Sequence, residues 1–584
     1  MITEQGVPQP AAQGGLRPSG WQLAVIGAVV ALAAGIGLVL GFTVLAPRAN
    51  PLGGAASYVP DDSVMYLEAR LDQSPAQAQA FRAVVQRFPA VKADKPLLET
   101  IGALIDKGME GSGSPITFAA DVDPWFDGRV GVAMLDYPLA SVTAGEQTVP
   151  NMAVLLGVDD PAAAAAFSDK LRAAMQSEGS PMTSSQHAGV TIWSTDESAA
   201  GDGNGQAFAI TDDQVLVSNR SATIATLVDT HAGSASFAAR RELQQLAGHL
   251  PSDWTGFYAV DTAQIFEQLK AALAKGDPSM AGILDPYLAG APAFSAGTIG
   301  FANDALLMDA AQPAPSGDRA VANSRRDLAA RVPGDALFFA DGADLGHQLT
   351  AFVSAMRAAL AAQADGAGTS EMLDQAEAGL GADLEDFVSW IGDGAVAAGI
   401  TDGTPYGGLV LEAADVDAAT RRFGQLKTLL QLAAQSGGEQ LSISTDTVGG
   451  VEVTTVAVKT GMSTDAAPVP SRVVVQYAMK ESTVLIGFGD QFVGRSLSIE
   501  EGASLADADR FTAAVDRFGG QDSLGITFLD LAGLRTAVEA TAGSMLPSEY
   551  VQQVKPNLEP LDYLVSVTQV EGDTVVSHAG IVLR

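Results

Sequence analysis

Val59-Pro60-Asp61-Asp62-Ser63-Val64-Met65-Tyr66 opens a pattern that returns as Val332-Pro333-Gly334-Asp335-Ala336-Leu337-Phe338-Phe339. Each stretch is a turn signal feeding a short apolar strand. A helical pattern follows in both places, Gln77 to Phe88 and then Leu345 to Leu360. Further on, Met152-Ala153-Val154-Leu155-Leu156 with Asp159 and Phe167 matches Gly408-Leu409-Val410-Leu411 with Asp415 and Phe423. Both read as a strand, an acidic cap and an Ala-rich helix. The runs around Val215 and Val484 each place two apolar strands about a polar turn, a hairpin signature. Asp261 matches Asp530 at the end of a strand, and hairpins turning at Asn303-Asp304 and Gly572-Asp573 close the series. From Val215/Val484 through Asp261/Asp530 to Asn303/Gly572 the spacing is constant, so the similarity is collinear and predicts an internal duplication.

Adjacent hairpins imply antiparallel pairing, and amphipathic helices need a sheet face to cover. The expected fold class is therefore α+β, with two tandem copies of an antiparallel-sheet unit covered by Ala-rich helices. Residues 58–315 make the first unit and 332–584 the second. Residues 316–331, polar and containing Arg325-Arg326, read as the joint. At 584 residues the chain exceeds one compact core.

Upstream lies a different signal. Trp21 to Ala46 contains no charged residue, and a helix of about 20 apolar residues suffices to cross roughly 30 Å of hydrocarbon. Trp21 sits at one end, Arg17 and Arg48 flank the run, and it is too long for the apolar region of a signal peptide. Residues 21–46 are thus expected to form a transmembrane helix after a short tail, 1–20, and before a Pro/Gly/Ala linker, 47–57. A short tail and a large following region predict an extracytoplasmic body on a single-pass anchor. Gly27, Ala31 and Gly35 recur every four residues, and Gly37 and Gly41 form a GxxxG, spacing that suits a homodimer of anchors.

The formal charge of −35 arises from 68 acidic against only 33 basic residues, with no acidic tract. Such a surface repels phosphate backbones, so no nucleic acid is expected as a partner. Cysteine is absent, which removes thiol nucleophiles, thiolate zinc sites and disulfides.

The opening from Val59 to Leu67, the helix-to-strand stretch from Leu505 to Asp530, and the repeated strand–Asp–helix layout resemble a family of bacterial membrane-anchored proteins known only as a domain of unknown function. The resemblance covers most of residues 58–584. It implies a cell-envelope location, and it brings no catalytic residues.

Chemistry is sparse. His187, His231, His249, His347 and His578 are isolated in sequence, so no HExxH or HxH metal pattern exists. No GxSxG elbow, SxxK pair or Walker loop occurs. Asp121, Asp123 and Asp127 cluster, but their spacing fails the EF-hand pattern and Pro124 stiffens the loop; a solvated turn is expected. Asp196, Glu197, Asp202 and Asn204 read as a hairpin loop, and Asp261 and Asp530 as helix caps. The expectation is no catalytic, cofactor or metal site. The protein is expected to be a non-enzymatic binding or interaction module of the cell envelope, with a protein or surface polymer as partner. The alternatives are a tethered carrier of lipid or another hydrophobe, whose cavity small Ala side chains would leave, and, less favoured, a hydrolase.

Overall fold

The computed structural model describes residues 52, 54–89, 96–109, 115–136, 150–177, 180–195, 205–276, 291–317, 320–362, 377–378, 380–436, 441–459, 472–543 and 546–584. The apolar run 21–46, with Gly27, Ala31, Gly35, Gly37 and Gly41, lies outside the described residues, as does the acidic stretch Asp196 to Asn204. Among the described residues no helix is long and apolar enough to cross a membrane.

Hairpin after hairpin builds a mixed α+β architecture. In the first half the strands are β1 (Met65–Arg70), β2 (Phe126–Asp136), β3 (Asn151–Val158), β4 (Thr183–His187), β5 (Val190–Ser194), β6 (Ala207–Ile210), β7 (Gln214–Ser218), β8 (Gly256–Val260), β9 (Ser295–Ala302) and β10 (Ala305–Pro313). In the second they are β11 (Ala336–Gly342), β12 (Ile391–Thr401), β13 (Thr404–Ala413), β14 (Leu441–Val448), β15 (Val451–Lys459), β16 (Arg472–Lys480), β17 (Thr483–Phe488), β18 (Gly525–Leu529), β19 (Leu561–Glu571) and β20 (Thr574–Leu583). Every pairing among them is antiparallel.

Across the first half the spatial order is β4-β5-β6-β7-β3-β2-β1-β8-β9-β10. Across the second it is β14-β15-β16-β17-β13-β12-β11-β18-β19-β20, the same order strand for strand. β10 pairs with β20, so all twenty strands belong to one sheet. Tight turns set the registers. Ala188-Gly189 and Asp402-Gly403 both sit at positive φ, as a two-residue hairpin loop requires.

Helices cover both sheet faces, which is why the central strands read as continuous apolar runs. On β3, Ala153 and Leu155 enter one core while Val154 and Leu156 enter another. On β13, Val410 and Leu411 divide the same way. In the first half the helices include α1 (Pro75–Val85), α2 (Leu97–Met109), α3 (Pro161–Ser177), α4 (Ser221–His231), α5 (Arg241–Ala247) and α6 (Thr262–Gly276). In the second they include α7 (Leu345–Ala362), α8 (Val416–Ser436), α9 (Phe492–Leu497), α10 (Asp509–Arg517) and α11 (Leu531–Ala542). Trp125 packs on Phe167 of α3 with ring centroids 5.3 Å apart, and Trp390 on Phe423 of α8 at 5.5 Å.

Three sequence expectations need correction. α3 is capped by Asp160 and not by Asp159; the Asp160 carboxylate accepts from the amides of Ala162 and Ala163, each at 3.0 Å. Asp415 does cap α8, through Ala418 at 2.8 Å. The linker 47–57 ends early, because Gly54–Ser57 is a 3₁₀ turn whose Ala55 and Ala56 are buried in the first core. Their methyl groups are small enough to fit beneath the sheet. The joint 316–331 is likewise no free connector. Ser324–Arg325 pairs with Asp522–Ser523, and Arg326, only 3% exposed, forms an ion pair with the partly exposed Asp393 of β12. A guanidinium buried beside its carboxylate ties this segment to the second half.

Candidate functional site

A cleft of about 750 Å³ lies on the first half. Five elements frame it. α3 contributes Ser168, Asp169 and Arg172; the β4–β5 hairpin contributes Thr191 and Trp193; the β6–β7 turn contributes Thr211 and Asp213; α4 ends in it at His231; and Tyr58 closes it from the chain segment before β1. Arg172 lies over the Trp193 ring, 4.0 Å from its centroid, and also pairs with Asp169. Tyr58 and His231 stack face to face, 3.9 Å apart with an interplanar angle of 1°.

Hydrogen bonds fix these groups. The Tyr58 hydroxyl donates to Asp213 at 2.5 Å and lies 3.0 Å from the Thr211 hydroxyl. Burial, reinforced by the Asp213 carboxylate, pushes the phenol well above its ordinary pKa, so it remains a donor. His231 Nδ1 stands 3.0 Å from the Ser57 hydroxyl. The same hydroxyl lies 2.6 Å from the Gly54 carbonyl, to which it donates. What the cleft offers is a half-buried indole, a guanidinium and several carboxylates.

The residues singled out in sequence fall into structural roles. Asp121 accepts from the Thr117 amide at 2.9 Å and pairs with Lys170 at 2.6 Å, while Asp127 accepts from the Arg129 amide at 2.7 Å. Asp121 lies in the short helical turn Phe118–Val122, Asp123 caps the C-terminal end of that turn and Asp127 lies in β2; among the described residues no cluster of three metal-ligating side chains occurs. Asp261 caps α6 through Gln264 at 2.8 Å and Asp530 caps α11 through Gly533 at 2.6 Å. Each cap also holds an arginine from the preceding helix start, Arg240 at 2.5 Å and Arg510 at 2.7 Å. Of the histidines, His187 meets Asp229 at 2.7 Å, His249 meets Glu571 at 3.1 Å, and His578 meets Asp309. Sequence reading missed the cleft, since its lining is drawn from Tyr58 to Ala232 with no motif between them.

A second surface distinguishes the other half. Opposite residues on its strands run Val396–Leu409–Ile486 across β12, β13 and β17, and Phe488–Val475–Val456–Ile443 across β17 to β14. α7 and α8 cover the end of this face near Leu411 and Val484. Val396, Val458, Val473 and Phe488 remain exposed, Phe488 by 57%.

A family profile described as "Protein of unknown function (DUF3352)" matches residues 24–584. No curated protein sequence matches the chain. Two crystal forms of a protein designated TP0453 are similar over 44% of this chain. Form IV shows 13% identity, 94% coverage of that protein and a TM-score of 0.20. Form III shows 11% identity, 93% coverage and a TM-score of 0.18.

Proposed function

This chain belongs to the family of proteins of unknown function matched over residues 24–584, and from that premise we propose that it is a non-enzymatic binding module of the cell envelope. Residues 21–46 anchor it as a single-pass helix, and the body is extracytoplasmic. The anchors pair as a homodimer through Gly27, Ala31 and Gly35. The observation that carries the binding role is the first-half cleft, where stacked aromatic and charged groups converge. The identical strand orders of 58–315 and 332–584 support reading the body as a duplicated unit.

A photo-crosslinking amino acid at Ala165, on the cleft wall, tests this in intact cells. The expected result is a discrete, reproducible protein or polymer adduct that disappears with Trp193→Ala. A folded variant yielding no adduct, or one indifferent to Trp193, defeats the reading. Recovery of the full chain from the soluble fraction without detergent defeats the anchor separately.

The uncovered apolar face of the second half favours a second reading, a tethered carrier of a lipid or other hydrophobe. Its check is native mass spectrometry of the purified body, where absence of any co-purifying lipid counts against it.

A further inference from the structure

The β10–β20 ladder has a symmetry that neither half shows alone. Asp309 sits opposite His578, and the two are 269 residues apart, the same offset that relates the matched elements of the two halves. Around that pair the ladder is its own mirror: Ala305 faces Val582 and Pro313 faces Thr574. The flanking backbone bonds repeat as well, Ala314 N–H to the Asp573 carbonyl and Leu583 N–H to the Asp304 carbonyl, both at 2.8 Å. A pseudo-twofold axis therefore passes through the Asp309–His578 pair.

Side chains follow the same axis. His249, just past α5, reaches Glu571 at the β19–β20 turn, while Arg517, ending α10, grips Asp304 at the β9–β10 turn with two bonds of 2.9 Å. Each half thus clamps the other half's hairpin. Along one face of the ladder, Ala305 and Val582 enter the second-half core and Ala311 enters the first. Asp309, 2% exposed, lies where the two cores meet.

We propose that this ladder is a pH-responsive clasp between the halves, closed while His578 is protonated against Asp309 and loosened when that proton leaves. Charged groups facing the histidine are few. Asp309 faces it from β10 and Glu571 from the end of β19; the neighbouring ladder positions are Thr298 on β9 and Val567 on β19, both uncharged. The Arg517–Asp304 grip keeps its charges throughout the neutral range, so it holds the turn but supplies no switch.

The Asp309 hydrogen bond raises the His578 pKa against the opposing effect of burial. Burial raises that of Asp309, with His578 pulling it down. A raised folded-state pKa gives stability that is complete below the unfolded value and lost as pH rises through the folded one. Both groups therefore act in the same direction. Once the imidazole is neutral, a buried carboxylate faces it without a counter-charge.

Hydrogen exchange on the full chain, corrected for the intrinsic pH dependence, provides the test. Between pH 6 and pH 9 the peptides of β10 and β20 are expected to lose about tenfold in protection, while β2 and β3 hold theirs. In His578→Gln the junction is expected to lose this pH response. A junction equally protected across the range, or a response that survives in His578→Gln, overturns the proposal. Should that variant not fold, histidine-selective NMR of the wild-type chain decides: a His578 titration step coinciding with the loss of protection supports the clasp, and its absence there refutes it.

Discussion

The two halves share one order of strands and differ in what they show to solvent. In the first, the face bearing Val130, Val132, Val154 and Leu156 is buried beneath α2, α3 and the turn around Trp125. In the second, the corresponding face is covered only near Trp390, and Val396, Val458, Val473 and Phe488 stand in the open. Hairpin length accounts for much of this. β4 and β5 have five residues each, whereas β14 and β15 have eight and nine and run past the helices that cover them. The first half instead folds its short hairpin against α3 and α4, and that closure makes the cleft. Turn chemistry and core volume preserve a topology, while strand length and helix placement decide which surface is left for recognition.

Trp125→Ala and Trp390→Ala probe the shared part most severely. Both indoles are buried against the phenylalanine of a covering helix, and each truncation is expected to cost about 3–5 kcal/mol in denaturant unfolding. A loss in one half far below that in the other would break the equivalence of the two cores. Next come the caps. Asp261→Ala and Asp530→Ala each remove an N-cap and the partner of a half-buried arginine, and about 1–2 kcal/mol is expected from each.

A pH experiment sharpens the comparison further. Asp341 of β11 is pushed up to about 6 by burial, against the pull of the Ile526 amide and of Arg326. Its folded pKa exceeds the unfolded value, so its contribution is complete in acid and is lost as pH rises through about 6. Asp341→Asn should remove that segment of the stability–pH curve, measured by thermal melts from pH 4 to pH 8. The smallest structural effect belongs to the open face. Phe488→Ser with Val473→Ser should change stability by no more than about 0.5 kcal/mol per site while lowering binding of an apolar fluorescent dye. Trp193→Ala, in the other half, should leave that dye signal unchanged.

Much of the topology was legible because the signals are local. The Asn303-Asp304 and Gly572-Asp573 turns lie between the strands they join, and Asp261 and Asp530 sit one residue before the helices they cap. Asp159 was misread for Asp160 because adjacent acids offer the same chemistry and only backbone geometry chooses between them. The cleft, the buried Arg326 and the Asp309–His578 pair were not legible. Their partners are distant in sequence, and a histidine isolated in the chain reveals nothing of an aspartate 269 residues away. The apolar face was hidden differently: nothing in the sequence of β15 or β16 marks where α8 stops.

The β10–β20 ladder also bears on vectorial synthesis. β10 is complete once residue 313 has been made, yet the strand that pairs with its outer edge runs from Thr574 to Leu583. At a translation rate of about 5–20 residues per second, that edge waits on the order of tens of seconds with its amides unsatisfied. An unpaired edge is a template for any neighbouring strand. An ionisable side chain in the middle of such an edge disfavours pairing with an apolar strand, and β10 carries Asp309 there.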